Sequence, residues 1–166
     1  MDTFSESMKE YKQQLEKGAI QEAYHGLMQY FRDLRTHFRD AYPHYSVSGS
    51  IYYGYMDMTY FSLFPESLKR RRLKTAIVFV YDSFRFEVWL SGSNRKVQSR
   101  YWELLRESDW NKYHFASNPK REDYVIDHVL VGSPDFGDLD ALTSQIERGT
   151  LEFIKDVEGA LSRLDG

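Results

Sequence analysis

The stretch Lys74–Leu90, KTAIVFVYDSFRFEVWL, reads as a β-hairpin at the centre of a sheet. Its first arm, Ala76 to Tyr81, is apolar at every position, a pattern that a strand sustains only when both of its faces are covered. The second arm alternates. Phe84, Phe86, Val88 and Leu90 point one way and Arg85, Glu87 and Trp89 the other, because successive strand side chains face opposite sides. Asp82-Ser83 fits a two-residue loop between the arms.

Outward from the hairpin the pattern becomes helical. Met8, Tyr11 and Leu15 recur at helical spacing before Gly18, which predicts a first helix that stops there. Ile20, Ala23, Tyr24, Leu27, Met28, Phe31, Leu34 and Phe38 form a longer stripe that Pro43 closes. Residues 46–64 change to strand composition, and Gly54 divides them into expected strands at 46–53 and 55–64. Beyond the hairpin, Ser93 is the expected cap of a helix carrying Val97, Tyr101, Leu104 and Leu105. YVIDHVLV, residues 124–131, is a last strand. Asp138 is the expected cap of a final helix whose stripe runs from Leu139 to Leu164. The element order is therefore α-α-β-β-β-β-α-β-α. That order predicts one α+β (or α/β) domain over residues 1–166, with a central mixed sheet of about five strands flanked by helices.

Composition narrows the function classes. A chain of 166 residues with 42% hydrophobic and 16% aromatic content builds one core with much Tyr and Phe in it. There is no cysteine, so thiol catalysis, disulfides and Cys-ligated zinc are excluded. No run of about 18 apolar residues occurs and the first residues are polar, which makes a soluble cytoplasmic protein with no membrane partner the expectation. The net charge of −3 hides a gradient: residues 1–45 sum to −1, 46–121 to +6 and 122–166 to −8. An acidic C-terminal helix folding over a basic middle would account for it. So would a basic face for an anionic partner.

Asp57 and Glu87 are the carboxylates to examine first, since each interrupts an aromatic and β-branched strand. If the register sets them on one face, Asp57, Arg85 and Glu87 converge inside an aromatic surround of Tyr53, Tyr55 and Trp89. That is either a surface ion pair or a ligand or metal pocket. The five histidines, 25, 37, 44, 114 and 128, show no metal-site spacing. Asp127 and His128 are adjacent in a strand and so point apart. Ser48-Gly49-Ser50 and Gly92-Ser93-Asn94 are turn chemistry. The densest charge run, Lys69-Arg70-Arg71-Arg72, is a candidate for nucleic-acid phosphates, with Tyr and Phe nearby for stacking; otherwise it is a solvated connection.

The order helix, strands, helix, strand resembles the core of the restriction-endonuclease-like nucleases, which set an Asp on one strand and Glu-x-Lys on the next. By that resemblance Asp57 and Glu87 would hold Mg²⁺ or Mn²⁺. Trp89 stands at the lysine position, and Lys74, one strand away, is the nearest replacement. The segments YGYMDMTYFSLFPESLKRRRLK, FRFEVWLSGSN and DLDALTSQIERGTLEFIKDVE resemble a family of uncharacterised bacterial and archaeal proteins of this length, which implies no particular activity. No catalytic motif is complete. The expectation is therefore a non-catalytic domain that binds an unknown small molecule or protein, with no cofactor, through the face around Tyr53, Tyr55, Asp57, Arg85, Glu87 and Trp89. The alternative is a divergent metal-dependent nuclease.

Overall fold

The computed structural model describes residues 3–165. Helices α1 (Phe4–Lys17) and α2 (Ala19–Ala41) lead through a 3-10 turn at Pro43–Tyr45 to strand β1 (Met58–Leu63). A single helical turn, α3 (Glu66–Lys69), precedes the hairpin strands β2 (Leu73–Val80) and β3 (Arg85–Gly92). Helix α4 (Arg95–Glu107), the short β4 (His114–Phe115), β5 (Ile126–Val131) and α5 (Leu139–Asp165) complete the chain.

The fold is α+β, with five strands in the order β1-β2-β3-β5-β4, so β3 lies in the middle. Every pairing is antiparallel, where a mixed sheet was expected. The difference arises after α4. A further reversal through β4 turns the chain round before it enters β5 beside β3.

Two stretches depart from the sequence reading for local reasons. Val80 pairs with Arg85, so the hairpin connection is the four residues Tyr81 to Phe84 rather than Asp82-Ser83 alone. Phe84 takes the left-handed conformation at φ 52° and stays largely exposed instead of joining β3. Upstream, residues 46–64 form one strand rather than two. Gly54, at φ 76°, folds the chain back so that Tyr52 meets Tyr60 in an isolated antiparallel bridge. The helix after β3 is capped by Asn94, whose side chain accepts the Val97 N–H at 2.9 Å, one residue later than Ser93. Asp138 does accept the Ala141 N–H, at 3.1 Å, at the start of α5.

One face of the sheet carries nearly all of the helix packing. Phe61, Leu63, Ile77, Phe79, Phe86, Val88 and Leu90 meet Phe31, Leu34 and Phe38 of α2 and Ile146, Phe153, Ile154 and Val157 of α5 in one cluster. Each such fully buried side chain contributes roughly 1.5–3 kcal/mol relative to exposure. On the opposite face the buried hydrophobic residues are Ala76, Val78 and Trp89, flanked by Met58, Tyr60, Val80 and Tyr124, and among the described residues no helix residue joins this cluster. The sheet is thus covered on one side only. Helix α1 buries no side chain at all.

Candidate functional site: the uncovered sheet face

Strand alternation builds this face from β3 outward. Arg85, Glu87 and Trp89 stand in a row on the uncovered side. Glu87 accepts from Arg85 Nε and from Trp89 Nε1, both at 2.9 Å, and is 4% exposed. Across the ladder Trp89 pairs with Asp127, and Asp127 in turn pairs with His114 at the sheet edge. His114 Nδ1 lies 2.5 Å from Asp127 Oδ1. Burial, together with the neighbouring Glu87, pushes the Asp127 carboxyl up to about 6 against the pull of His114. For Glu87 burial acts in the same sense, but hydrogen bonds from Trp89, Arg85 and Asp127 outweigh it and hold this carboxyl below its ordinary value. The neighbouring charges thus move the two carboxyls apart, and just below pH 6 Asp127 holds its proton while Glu87 is charged.

Further along the same face, a cleft of about 270 Å³ opens between β1 and β3, lined by Tyr52, Tyr60, Lys74, Trp89, Ser91 and Asp123 among others. The Lys74 ammonium sits 5.8 Å from the Tyr60 ring centroid. The side chain is half-buried, and that desolvation holds its pKa below the ordinary lysine value. Among the described residues no carboxylate lies within ion-pair distance of it. Asp123, the acid on the cleft wall, is taken by Arg95 at 2.8 Å. The Tyr52 and Tyr60 rings lie 5.0 Å apart at 31°, and Trp89 packs on Tyr124 at 5.1 Å. A cation between flat aromatic surfaces is what the cleft presents.

The sequence-expected residues divide accordingly. Arg85, Glu87 and Trp89 converge as anticipated, and Lys74 shares their face. Lys74 pairs with Ser91 and Glu87 with Val78, which puts Lys74 and Glu87 about 13 Å apart along the strands. Asp57 is elsewhere. Met58 pairs with Val80 and Val80 with Arg85, so Met58 and Tyr60 belong to the Glu87 face while Thr59 turns to the helices. Asp57, one residue before the strand, therefore falls on the side away from Glu87. Its carboxylate closes its own turn, accepting from the Tyr55 N–H at 2.8 Å. That bond and one from the Met58 backbone hold it below the usual carboxylate range. Tyr55 is 91% exposed, and Tyr53 contributes its carbonyl to the Thr59 hydroxyl rather than its ring to the face. Tyr52 takes the place expected of them. Among the described residues no three His, Asp or Glu side chains are grouped to hold a metal ion. The Asp57 and Glu87 pairing that Mg²⁺ or Mn²⁺ would need is not formed.

Asp127 and His114 were not singled out as partners of Glu87. Asp127 was legible as an outward residue of YVIDHVLV, and it does point away from its neighbour His128, which pairs opposite Val88 on the helix side. His114 lies in a segment with no periodic signal, so only the sheet register reveals it. The basic middle is partly neutralised: Arg71 pairs with Asp165 and donates to the Ser67 carbonyl at 2.8 Å, and Lys112 meets Asp156 at 2.8 Å. Helix α5 thus folds against part of the basic middle, as the charge gradient allowed.

The fold is an α+β domain with an antiparallel sheet and an aromatic cleft on the face away from the helices. The chain belongs to the family described as domain of unknown function DUF7000, whose model matches residues 4–161. No curated protein and no solved structure matches it. Among the described residues no helix is long and apolar enough to cross a membrane.

Proposed function

We propose that this chain is a non-catalytic binding domain whose uncovered sheet face takes an anionic ligand with a flat, aromatic part. The observation that carries the reading is Lys74: a half-buried ammonium at the wall of an open cleft, resting on Tyr60 and lacking a carboxylate partner among the described residues. Burying a charge is unfavourable unless it is paired, and a fold under no other demand would place an apolar residue or a Lys-Glu pair there. An incoming carboxylate or phosphate supplies the missing partner, while Tyr52, Tyr60 and the edge of Trp89 offer surface for a planar group.

Catalysis has weaker support. The carboxyl pair has its donors already inside the protein: Glu87 is occupied by Arg85 and Trp89, and Asp127 by His114. The test is a thermal-stability screen of aromatic carboxylates and nucleoside monophosphates, in which a ligand at 100 times its dissociation constant adds about 2.7 kcal/mol. A hit that disappears in Lys74→Met supports the reading. Hits that survive Lys74→Met, or none at all, defeat it.

A further inference from the structure

We propose that a single strand of nucleic acid binds across the β2 entrance of the sheet, its phosphates in a groove between residues 70–72 and α4 and its bases on the cleft beside Lys74. The inference rests on the binding face proposed above and names the class of ligand that it takes.

The groove holds about 330 Å³ and is lined by Arg70, Arg72, Lys96, Arg100 and Tyr101, with Arg71 and Asn94. Two segments distant in sequence make it. They are tied together by the Arg72 carbonyl, which accepts the Ser93 N–H at 2.8 Å, with Arg72 itself held in the left-handed conformation at φ 61°. Arg71 turns inward to Asp165 and is thereby neutralised. Arg70, Arg72, Lys96 and Arg100 have no carboxylate at ion-pair distance among the described residues. The arrangement opposes the stability of the helix. The first turn of α4 carries no acid, and Lys96 adds positive charge at the end where the helix dipole is already positive, while Arg95 beside it is balanced by Asp123. Like charges gathered at such a point, without compensation from the fold, suit an anion from outside.

Two features make that anion a strand rather than one phosphate. The groove runs on into a neighbouring hollow where Lys96, Arg100 and Lys120 outnumber one acid, Glu103, and where Arg95 is paired with Asp123. The groove and the aromatic cleft are linked through the entry to β2, where Arg72 lines the one and Lys74, two residues on, lines the other. Nearby acids cancel only part of this charge: Glu103 stands on the hollow, while Asp123 is bound by Arg95 and Glu87 by Arg85 and Trp89. A cationic track leading to aromatic rings at a cleft, here Tyr52 exposed and Tyr60 half-buried, is the arrangement that holds a backbone while bases stack, and only an unpaired strand offers its base faces.

Fluorescence anisotropy with labelled single-stranded oligonucleotides of about a dozen nucleotides tests it. Neutralising four phosphates gives a slope of log K against log salt of about −3. Arg70→Glu with Arg100→Glu, both exposed positions, should weaken binding by at least about tenfold at low salt and flatten the slope by about 1.4. Tyr60→Ala should weaken binding with the slope unchanged. Absence of saturable binding, indifference to the double charge reversal, or equally tight binding of duplex or of tripolyphosphate overturns the inference. If a small aromatic anion still binds in a Lys74-dependent manner in that case, the binding face stands and only the strand is lost. If Lys74→Met affects neither kind of ligand, both readings fall.

Discussion

Asp127 and Glu87 are diagonal neighbours on the uncovered face, Asp127 in register with Trp89 and Glu87 with Val129, and their carboxyls shift in opposite directions from their ordinary values. Each lies opposite a residue that serves the other's strand: Trp89, which donates to Glu87, is the ladder partner of Asp127. The consequence is a pH dependence of stability with a definite sign. Asp127 has its folded-state pKa raised to about 6, so the stability it contributes is complete below its ordinary value of 3.8 and is lost as pH rises through about 6. Glu87, lowered from 4.5, acts oppositely and lower down, losing its contribution as pH falls below that value. Between roughly pH 4.5 and 6 the Asp127 effect governs, and urea denaturation should show stability declining with rising pH there.

Asp127→Asn should remove that decline. The amide donates to Glu87 as the protonated acid does, without the second charge that burial and Glu87 disfavour. At neutral pH the variant should gain about 1 kcal/mol, the pKa displacement being discounted for partial exposure. A variant less stable than the parent at neutral pH, with the decline intact, would show that the carboxyls titrate independently.

Glu87→Ala should be costly for the converse reason. It leaves the Trp89 indole N–H buried with no acceptor and removes the partner of Arg85, a loss of roughly 1–3 kcal/mol. Glu87→Gln keeps an acceptor and should cost less. Equal losses for the two would mean that the charge rather than the hydrogen bond to Trp89 carries the contribution.

Lys74→Met separates function from stability. Because burial disfavours the ammonium and no carboxylate compensates it among the described residues, replacing it with an apolar chain of similar length should leave the melting temperature unchanged or raise it. A clear drop would show that Lys74 serves the fold, which would weaken its assignment to a ligand.

Most of this architecture was readable from the chain because burial writes itself as periodicity. The α2 stripe from Met28 to Phe38 and the alternation of β3 mark which faces meet and sit where the pattern put them, whereas the unbroken run of β2 implied cover on both faces and Ala76 and Val78 are buried instead among side chains such as Met58, Tyr60 and Trp89 of their own face. The site was half readable on the same ground: Arg85, Glu87 and Trp89 share a face by parity alone. Asp57 was misplaced because parity does not set register: the ladder aligns Thr59 with Phe79 and Phe86, which turns the side shared by Thr59 and Asp57 to the helices. Tyr52 and His114 were missed because a one-residue bridge and a two-residue strand are too short to leave a period. The turn at Phe84 was hidden by its side chain. Nothing in a phenylalanine announces a positive φ, whereas Gly54 does announce one.

Gly54 is where fold and site are most tightly joined. At φ 76° it occupies backbone space that other residues enter only under strain, and a Cβ added there would stand 2.0 Å from the Met58 carbonyl oxygen and 2.7 Å from Asp57 Oδ1. Backbone cannot yield as a flexible side chain does, so Gly54→Ala must open the turn. The strain alone is roughly 1–3 kcal/mol. The larger effect should fall on the cleft, because the same turn brings Tyr52 back to Tyr60, where the two exchange backbone hydrogen bonds at 2.8 and 2.9 Å. Ligand binding measured beside urea denaturation should therefore show Gly54→Ala losing affinity beyond anything its loss of stability explains, while Gly49→Ala, with open space around its Cβ, keeps both. Unchanged binding in Gly54→Ala would mean that Tyr52 takes no part in the site.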